Sequence, residues 1–252
     1  MVRAAAKAGK PLRRDFGELE NIQFSQRGTL KFSHNSWLFS ERNLKESLIA
    51  SRPDFTLFSY DQKPDKNENK YFILHPISGY ENFIRGLPYF AICIFAKNGP
   101  RTEAAVIYDP LEDYLFWAEG GIGACINDQK LRVTQRGQDV EHAIALSLTG
   151  QETLDKELSQ KLLHKVYDYQ QSRKNCTMLL KQCPELDLAY TAKAHLDVSV
   201  FANPNFYLSK MCKLFMKETN GIARTIQHNE EQNTMVCGNL AAVSTFEDFL
   251  SA

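Results

Sequence analysis

The sequence predicts a layered α/β protein. Three observations carry that expectation: a helical apolar period over the first fifty or so residues, a change to strand period with turn chemistry from Tyr71 to Ala118, and a return to helices from Leu154 onward. Strands and helices that follow one another in this order bury their apolar faces by stacking as layers. At 252 residues, 43% of them hydrophobic, the chain can bury a full core. We read a single domain made of two packed lobes, an N-terminal α+β lobe with an antiparallel sheet over about 1–140 and a C-terminal α/β lobe over about 141–252.

The first helix is expected over Val2–Ile22, with Ala4, Ala8, Leu12, Phe16 and Leu19 near one face and Pro11 interrupting or kinking it. A second is expected from about Ser36 through Ala50, where Trp37, Leu38, Leu44, Leu48 and Ile49 are apolar and Pro53 lies just past the end. The polar stretch Asp61–Lys70 reads as a surface loop. Short strands follow at Tyr71–Leu74, Phe90–Ala96, Glu103–Ile107 and Tyr114–Ala118, divided by turns at Asn98-Gly99-Pro100, Asp109-Pro110 and Gly120-Gly121. Helices are then expected over Leu154–Tyr169, Glu185–Ala194 and Phe206–Thr219, the last closed by Asn220-Gly221. A strand near Met235–Ala242 precedes a terminal helix opened by Ser244 or Thr245, with Glu247 behind it.

Composition narrows the function classes. Lysine plus arginine equals aspartate plus glutamate at 30 each, so the summed field has no strong nucleic-acid footprint. The lysines of Lys156–Lys181 read as a solvated helix face, with a partner surface as the other reading. Cys93, Cys125, Cys176, Cys183, Cys212 and Cys237 are scattered without C-x-x-C or zinc-finger spacing, and we expect reduced core thiols in a cytoplasmic protein. No run is apolar enough to suggest a signal peptide or a membrane span.

The stretch from Tyr71 to Pro88 reads Tyr-Phe-Ile-Leu-His75-Pro76-Ile77-Ser78-Gly79-Tyr80-Glu81-Asn82-Phe83 and then Ile-Arg-Gly86-Leu-Pro88. It resembles the signature of the inositol monophosphatase family, in which an apolar strand runs into D-P-[IL]-D-G-T-x-N-F and a glycine-proline turn. Further segments agree in order and spacing: Ala105–Pro110, Leu115–Ala124 and Asn127–Val133. Leu186-Asp187-Leu188-Ala189-Tyr190 is similar to the family's L-D-L-A-Y, and Lys217–Gly221 sits where its last large helix ends. Lys7-Ala8-Gly9 and Arg14-Asp15-Phe16-Gly17 resemble the bacterial extragenic-suppressor (SuhB-like) branch. The resemblance implies a five-layered αβαβα sandwich.

It also implies a chemistry, Mg²⁺-dependent hydrolysis of inositol and sugar phosphates. Mg²⁺ is a hard ion held by carboxylates plus the substrate phosphate, and the ions activate water and neutralise charge on the phosphoryl and leaving oxygens. At the two metal-binding aspartates of the signature this chain has His75 and Ser78, and Tyr80 replaces the threonine. The family's G-E-E falls on Ser59-Tyr60-Asp61, leaving Asp61 as the surviving acid, one place out of register. Its early aspartate falls near Ser36 or Trp37, and no acid occurs between Glu20 and Glu41. Counting back from Asn220-Gly221 puts Tyr207 and Leu208 on the family's W-D, and Phe201 on a substrate-contacting glutamate. A neutral imidazole and a hydroxyl bring no charge to a hard ion. At the degenerate anion cradle, Gly79 and Tyr80 open a short helix, and Glu81 puts a carboxylate on the turn whose free N–H groups would favour a phosphate.

The expectation is therefore a catalytically silent member of the family with no metal and no cofactor, retained for binding to protein. Turn-shaping and core residues stay (Pro76, Gly79, Asn82, Phe83, Gly86, Pro88) while charged groups are replaced. Partners implied by the resemblance are a second copy in a homodimer, an active paralogue, or the RNA polymerase and antitermination factors with which the SuhB-like branch works. Two alternatives stay open: a phosphatase rewired around Asp61 and His75, and a small-molecule phosphate sensor. A softer metal such as zinc would sit at His75 and Asp61, but a catalytic zinc site uses about three protein ligands and only two are in view. Ser78 beside His75 lacks identifiable triad partners. Trp37, Tyr60, Tyr80 and Phe201 read as packing an emptied cavity, with an aromatic ligand pocket as the alternative.

Overall fold

A computed structural model describes residues 1–22, 26–99, 102–135, 142–148, 153–173 and 175–251. The chain divides into two compact units, Met1–Gln129 and Lys130–Ala252.

The first unit opens with α1 (Val2–Ile22) and α2 (Gln26–Ser51), followed by β1 (Thr56–Ser59), β2 (Lys70–Ser78) and a one-turn α3 (Tyr80–Ile84). Then come β3 (Ala91–Asn98), β4 (Thr102–Asp109), β5 (Tyr114–Glu119), β6 (Gly123–Ile126) and β7 (Gln129–Lys130). The sheet keeps sequence order from β1 to β7. Its first pair is parallel, and the pairs from β2 to β6 are the expected antiparallel meander. The two helices lie on one face, where Phe72, Leu74, Ile92, Ile94, Val106 and Tyr108 meet Ala4, Ala8, Leu12, Leu19, Leu44 and Leu48. Helix α1 runs through Pro11 without ending there. Gly9 lets it lie against β4, because a Cβ at that position would stand 2.3 Å from the Tyr108 ring.

Helix α2 begins ten residues before the expected Ser36, for a reason visible in its buried stripe. That stripe is Thr29, Ser33, Ser36 and Ser40, then Leu44 and Leu48, at helical spacing throughout. Its first half buries hydroxyls, which an apolar period does not register. Small side chains suit a close approach, and three of them reach partners outside the helix: Thr29 donates to the Ile22 carbonyl (3.0 Å), Ser36 to the Asp15 carboxylate (2.9 Å) and Ser40 to the Pro76 carbonyl (3.2 Å).

The second unit carries β8 (His142–Leu148), α4 (Thr153–Ser172), β9 (Cys176–Leu179), α5 (Pro184–Ala192), β10 (Val198–Ala202), α6 (Phe206–Glu218), β11 (Ile222–Gln227), β12 (Asn233–Gly238) and α7 (Leu240–Ser251). Strand order is β11-β12-β10-β8-β9, with β8, β9 and β10 parallel and β11 and β12 antiparallel to their neighbours. Helices α4 and α7 cover one face through Leu158, Leu162, Val166, Val243 and Phe246. Helices α5 and α6 pack against β8, β10, β11 and β12, and the Ser147 and Ser199 side chains of β8 and β10 turn toward α5.

Strands β8 to β11 have no counterpart among the expected elements. The last strand ends at Gly238, short of Ala242, and the last helix begins at Leu240, ahead of Ser244; Asn239 caps it by accepting the Ala242 N–H at 2.9 Å. The Asn220-Gly221 closure of α6 is a Schellman turn: Asn220 takes the left-handed conformation (φ 60°) and the Gly221 N–H bonds the Met216 carbonyl at 2.8 Å. All six cysteines are free thiols, and burial with a Cys237 contact holds the Cys212 thiol far above its usual range. Among the described residues no helix is long and apolar enough to cross a membrane. The Pro100 part of the Asn98-Gly99-Pro100 turn lies outside the described residues.

Candidate functional site

The signature segment closes β2 and opens α3. Strand β2 pairs with β3 up to His75 opposite Cys93, slips, and resumes with Ser78 opposite Ala91. The bulge falls on Pro76-Ile77, where proline has no N–H to give a ladder. Ser40 of α2 fastens the Pro76 carbonyl, and Ser78 is fully buried. Gly79 then takes φ 74° and ψ 34°, the left-handed region, and starts α3. The Asn82 side-chain amide donates to the Tyr89 carbonyl (2.8 Å) and the Leu87 N–H to the Asn82 carbonyl (2.8 Å), which closes the turn toward β3. Beneath it Phe16, Phe83 and Phe90 pack with ring centroids 5.0–5.9 Å apart. Burying Phe83 and Phe90 contributes roughly 1.5–3 kcal/mol each. Turn geometry and packing thus account for Pro76, Gly79, Asn82 and Phe83.

The polar side of the junction has a different character. The Tyr60 N–H bonds the Leu74 carbonyl (3.0 Å), extending the parallel β1–β2 ladder, and this lays the Tyr60 ring on His75. The rings stack with centroids 3.8 Å apart and an 11° interplanar angle. Asp61 follows as an exposed residue of the turn in which the Gln62 N–H bonds the Ser59 carbonyl (3.0 Å). Glu81 is exposed on the first turn of α3. Burial raises the Tyr80 phenol above its usual pKa, and the Glu81 charge adds to the shift. Trp37 and Tyr80 pack against the α1–α2 core. Ser36, near the family's early aspartate, donates to Asp15, which Arg14 also clasps at 2.8 Å. Among the described residues no three His, Cys, Asp or Glu side chains group as a metal site would require.

The structure therefore brings Tyr60 and His75 together and sets Gly79, Tyr80 and Glu81 along one turn. Phe201 and Leu208 belong to the second unit. Phe201 is fully buried near the end of β10. Leu208 is buried in the first turn of α6, its N–H held at 2.9 Å by the capping side chain of Asn205.

A further set of residues lies outside the motif positions. Before α5, Gln182 takes the left-handed conformation (φ 54°) that favours glycine. Cys183 at the N-cap makes no side-chain capping hydrogen bond, Pro184 removes an N–H from the first turn, and Glu185 and Asp187 place buried acids there. The Asp187 carboxylate is engaged by the Ser147 hydroxyl at 2.6 Å. The missing Pro184 N–H and the two acids of this first turn disfavour an anion at this helix start. Its signal in the sequence is Pro184-Glu185, a helix-opening pair.

The fold and the β2–α3 turn define an inositol monophosphatase-like protein, and comparison with known proteins agrees. The model of the inositol monophosphatase family matches residues 1–210. The chain is 30% identical to an inositol-1-monophosphatase of Caulobacter vibrioides over 234 residues, 91% of this chain and 90% of that one. It is 33% identical to the Nus factor SuhB of Pasteurella multocida over 137 residues, 54% of this chain and 51% of that one. The chain thus spans about half the length of several curated relatives that it matches. The crystal structure of the extragenic suppressor protein SuhB from Bartonella henselae superposes with a TM-score of 0.81 at 25% identity, covering 99% of this chain and 96% of that one. The chain belongs to the inositol monophosphatase family, and its likeness includes the SuhB branch.

Proposed function

We propose that this chain is a pseudophosphatase of the inositol monophosphatase family, silent in phosphate-ester hydrolysis and retained to bind other proteins. One observation carries the reading: at the positions of the family's paired metal aspartates stand His75, stacked under Tyr60, and the fully buried Ser78. An imidazole, a hydroxyl and the exposed Asp61 do not fit Mg²⁺, which needs several anionic oxygens converging on one point to displace its own water. The exposed Glu81 and the acids at the start of α5 oppose a phosphate at both helix starts. We derive no hydrolytic step for this chain.

Purified protein assayed with Mg²⁺, Mn²⁺ or Zn²⁺ against inositol and sugar phosphates is expected to give no turnover. Any turnover overturns the reading, and turnover lost in His75→Ala establishes instead a site rewired around His75. That rival draws support from relatives named inositol-1-monophosphatase, one of them matched over nearly its whole length.

For the binding role, the relatives named Nus factor SuhB suggest the transcription machinery as partner. A native pull-down is expected to retrieve RNA polymerase or its antitermination factors. Retrieval of a catalytically active paralogue assigns the partner to the family itself, and retrieval of neither retires the transcription role.

A further inference from the structure

The helix layer of the first unit is incompletely filled at one end. On the helix-facing side of the sheet Val106 stands opposite Trp117, and Ala104 opposite Glu119. Elsewhere in that layer Leu12, Leu19 and Leu44 pack into the core between strands and helices. Here the helices offer the short side chains of Ala4, Ser47 and Ser51, and a cavity of about 440 Å³ is left over Ala104, Val106 and Trp117. Protein interiors are otherwise close-packed, and a space of this size with a largely apolar floor suits a small organic molecule. None of its lining belongs to β2 or α3, so it is separate from the signature turn.

The walls favour one sign of charge. Arg3 and Lys7, one turn apart on α1, both line the cavity, and among the described residues neither makes an ion pair. Glu119 opposes them from β5, which leaves one positive charge in excess. Ser47 adds a more specific signal: its hydroxyl oxygen is buried and meets no hydrogen-bond partner. Ser51, one turn on, donates its own hydroxyl to the Ser47 carbonyl (2.8 Å) and leaves the Ser47 hydroxyl unmet. A buried hydroxyl without a partner is costly, and a ligand oxygen placed against it removes that cost. The floor has a flat component, the Trp117 indole, whose N–H donates to the Asn127 carbonyl (3.4 Å) and so sets the ring's orientation. An indole and small apolar groups beside two cations and a free hydroxyl match a ring that carries an anionic group.

We propose that this cavity binds a small aromatic anion, its carboxylate or phosphate head met by Arg3, Lys7 and the Ser47 hydroxyl and its ring packed on Trp117 and Ala104. This rests on the first unit alone and is independent of whether the β2–α3 site is silent.

Calorimetric titration of the whole chain with five probes tests it. Phenylphosphonate and benzoate carry ring and negative charge, inorganic phosphate the charge alone, benzyl alcohol the ring alone, and benzylamine the ring with a positive charge. The chain holds two tryptophans, so Trp117 emission in a Trp37→Phe background reports whether a probe enters this cavity. At least one of the two aromatic anions is expected to bind at about millimolar or tighter and to change that emission, with the other three probes about tenfold weaker or more. Arg3→Ala and Lys7→Ala are each expected to weaken the anion about tenfold. Ser47→Ala is expected to weaken it about threefold without lowering the melting temperature, because it removes a hydroxyl that has no partner. Glu119→Gln removes the opposing charge and is expected to tighten binding about twofold. Ala104→Phe fills the floor and is expected to abolish binding, and thermal melts by circular dichroism check that each variant is folded. No binding by either aromatic anion, benzyl alcohol, benzylamine or inorganic phosphate binding as tightly as they do, heat of binding with no change at Trp117, or an affinity indifferent to Arg3 and Lys7 would each overturn the proposal.

Discussion

In residues 1–129 the buried hydroxyls hold neighbouring elements one bond at a time, as Ser36 does to Asp15 and Ser40 to the Pro76 carbonyl. In residues 130–252 buried aspartates gather several donors each, on side chain or backbone carbonyl. Asp197 accepts the Thr134 hydroxyl (2.8 Å) and the Ala143 N–H (2.9 Å), while the Asn239 amide donates to Thr134 (2.8 Å). Asp187 takes the Ser147 hydroxyl on its side chain and the Thr191 and Ser199 hydroxyls on its carbonyl. In the first unit a single hydroxyl, that of Ser40, fastens the signature turn, and in both units the buried carboxylates of Asp15, Asp109, Asp187 and Asp197 are met by hydrogen-bond donors. Buried charge survives where it is solvated by the protein itself.

The sharpest way to break that comparison is to put charge back. Ser78→Asp places a carboxylate at a fully buried position without the counter-charges that would hold it, and should cost about 3–5 kcal/mol in urea unfolding. Millimolar Mg²⁺ is expected to recover none of this. Recovery would mean that this chain holds a cation site, against the proposed silence. Next in size is Asp197→Ala, which strips the acceptor from Thr134 and from the Ala143 N–H. It is expected to cost about 2–4 kcal/mol by the same measurement. A loss well under 1 kcal/mol would mean that the carboxylate contributes little and that the contrast between the units is one of appearance.

Much of the fold is legible in the sequence. Helix α1, the meander from β2 to β5, and the α6 closure follow from local period and turn chemistry, and the family's motif order carries the fold class. What escapes has particular causes. The first half of α2 buries Thr29, Ser33 and Ser36, so its periodic face is polar in composition though not in position. Strand β11 is half-exposed or exposed along its whole length and shows no alternation, and β9 and β10 have four and five residues. At the site, the positions of His75, Ser78 and Tyr80 in the β2–α3 segment are readable by motif, but the Tyr60 ring over His75 is not. That contact depends on the register of β1 against β2, with Ser59 opposite Leu74, which no local pattern specifies. The crowded start of α5 escapes because an apolar repeat passes over the acids Glu185 and Asp187, which are buried there.

A smaller effect sharpens the comparison from the first unit. Ser40→Ala removes one neutral bond to the Pro76 carbonyl and is expected to cost about 0.5–1.5 kcal/mol, below Asp197→Ala. Should the two be equal, the single fastening holds the β2–α3 junction more firmly than a neutral hydrogen bond ordinarily would.

The smallest expected effect carries the opposite sign. Asp109 is a buried acid of the first unit whose carboxylate is held by backbone amides, accepting the Leu111 N–H (2.9 Å) and the Glu112 N–H (3.2 Å). Burial raises its pKa above the usual value of 3.8, and the two N–H bonds only partly offset that. A raised folded value means that the native state holds its proton after the unfolded chain has released it. The group's contribution is therefore complete below 3.8 and declines as pH rises through the folded value. Asp109→Asn retains an oxygen for both N–H groups and removes the charge, so it is expected to be neutral to about 1 kcal/mol stabilising at pH 7. Its advantage over wild type should open as pH rises from about 4 toward 7 in urea unfolding. An asparagine variant less stable at every pH would show that the ionised carboxylate gains more from those two amides than it loses by burial.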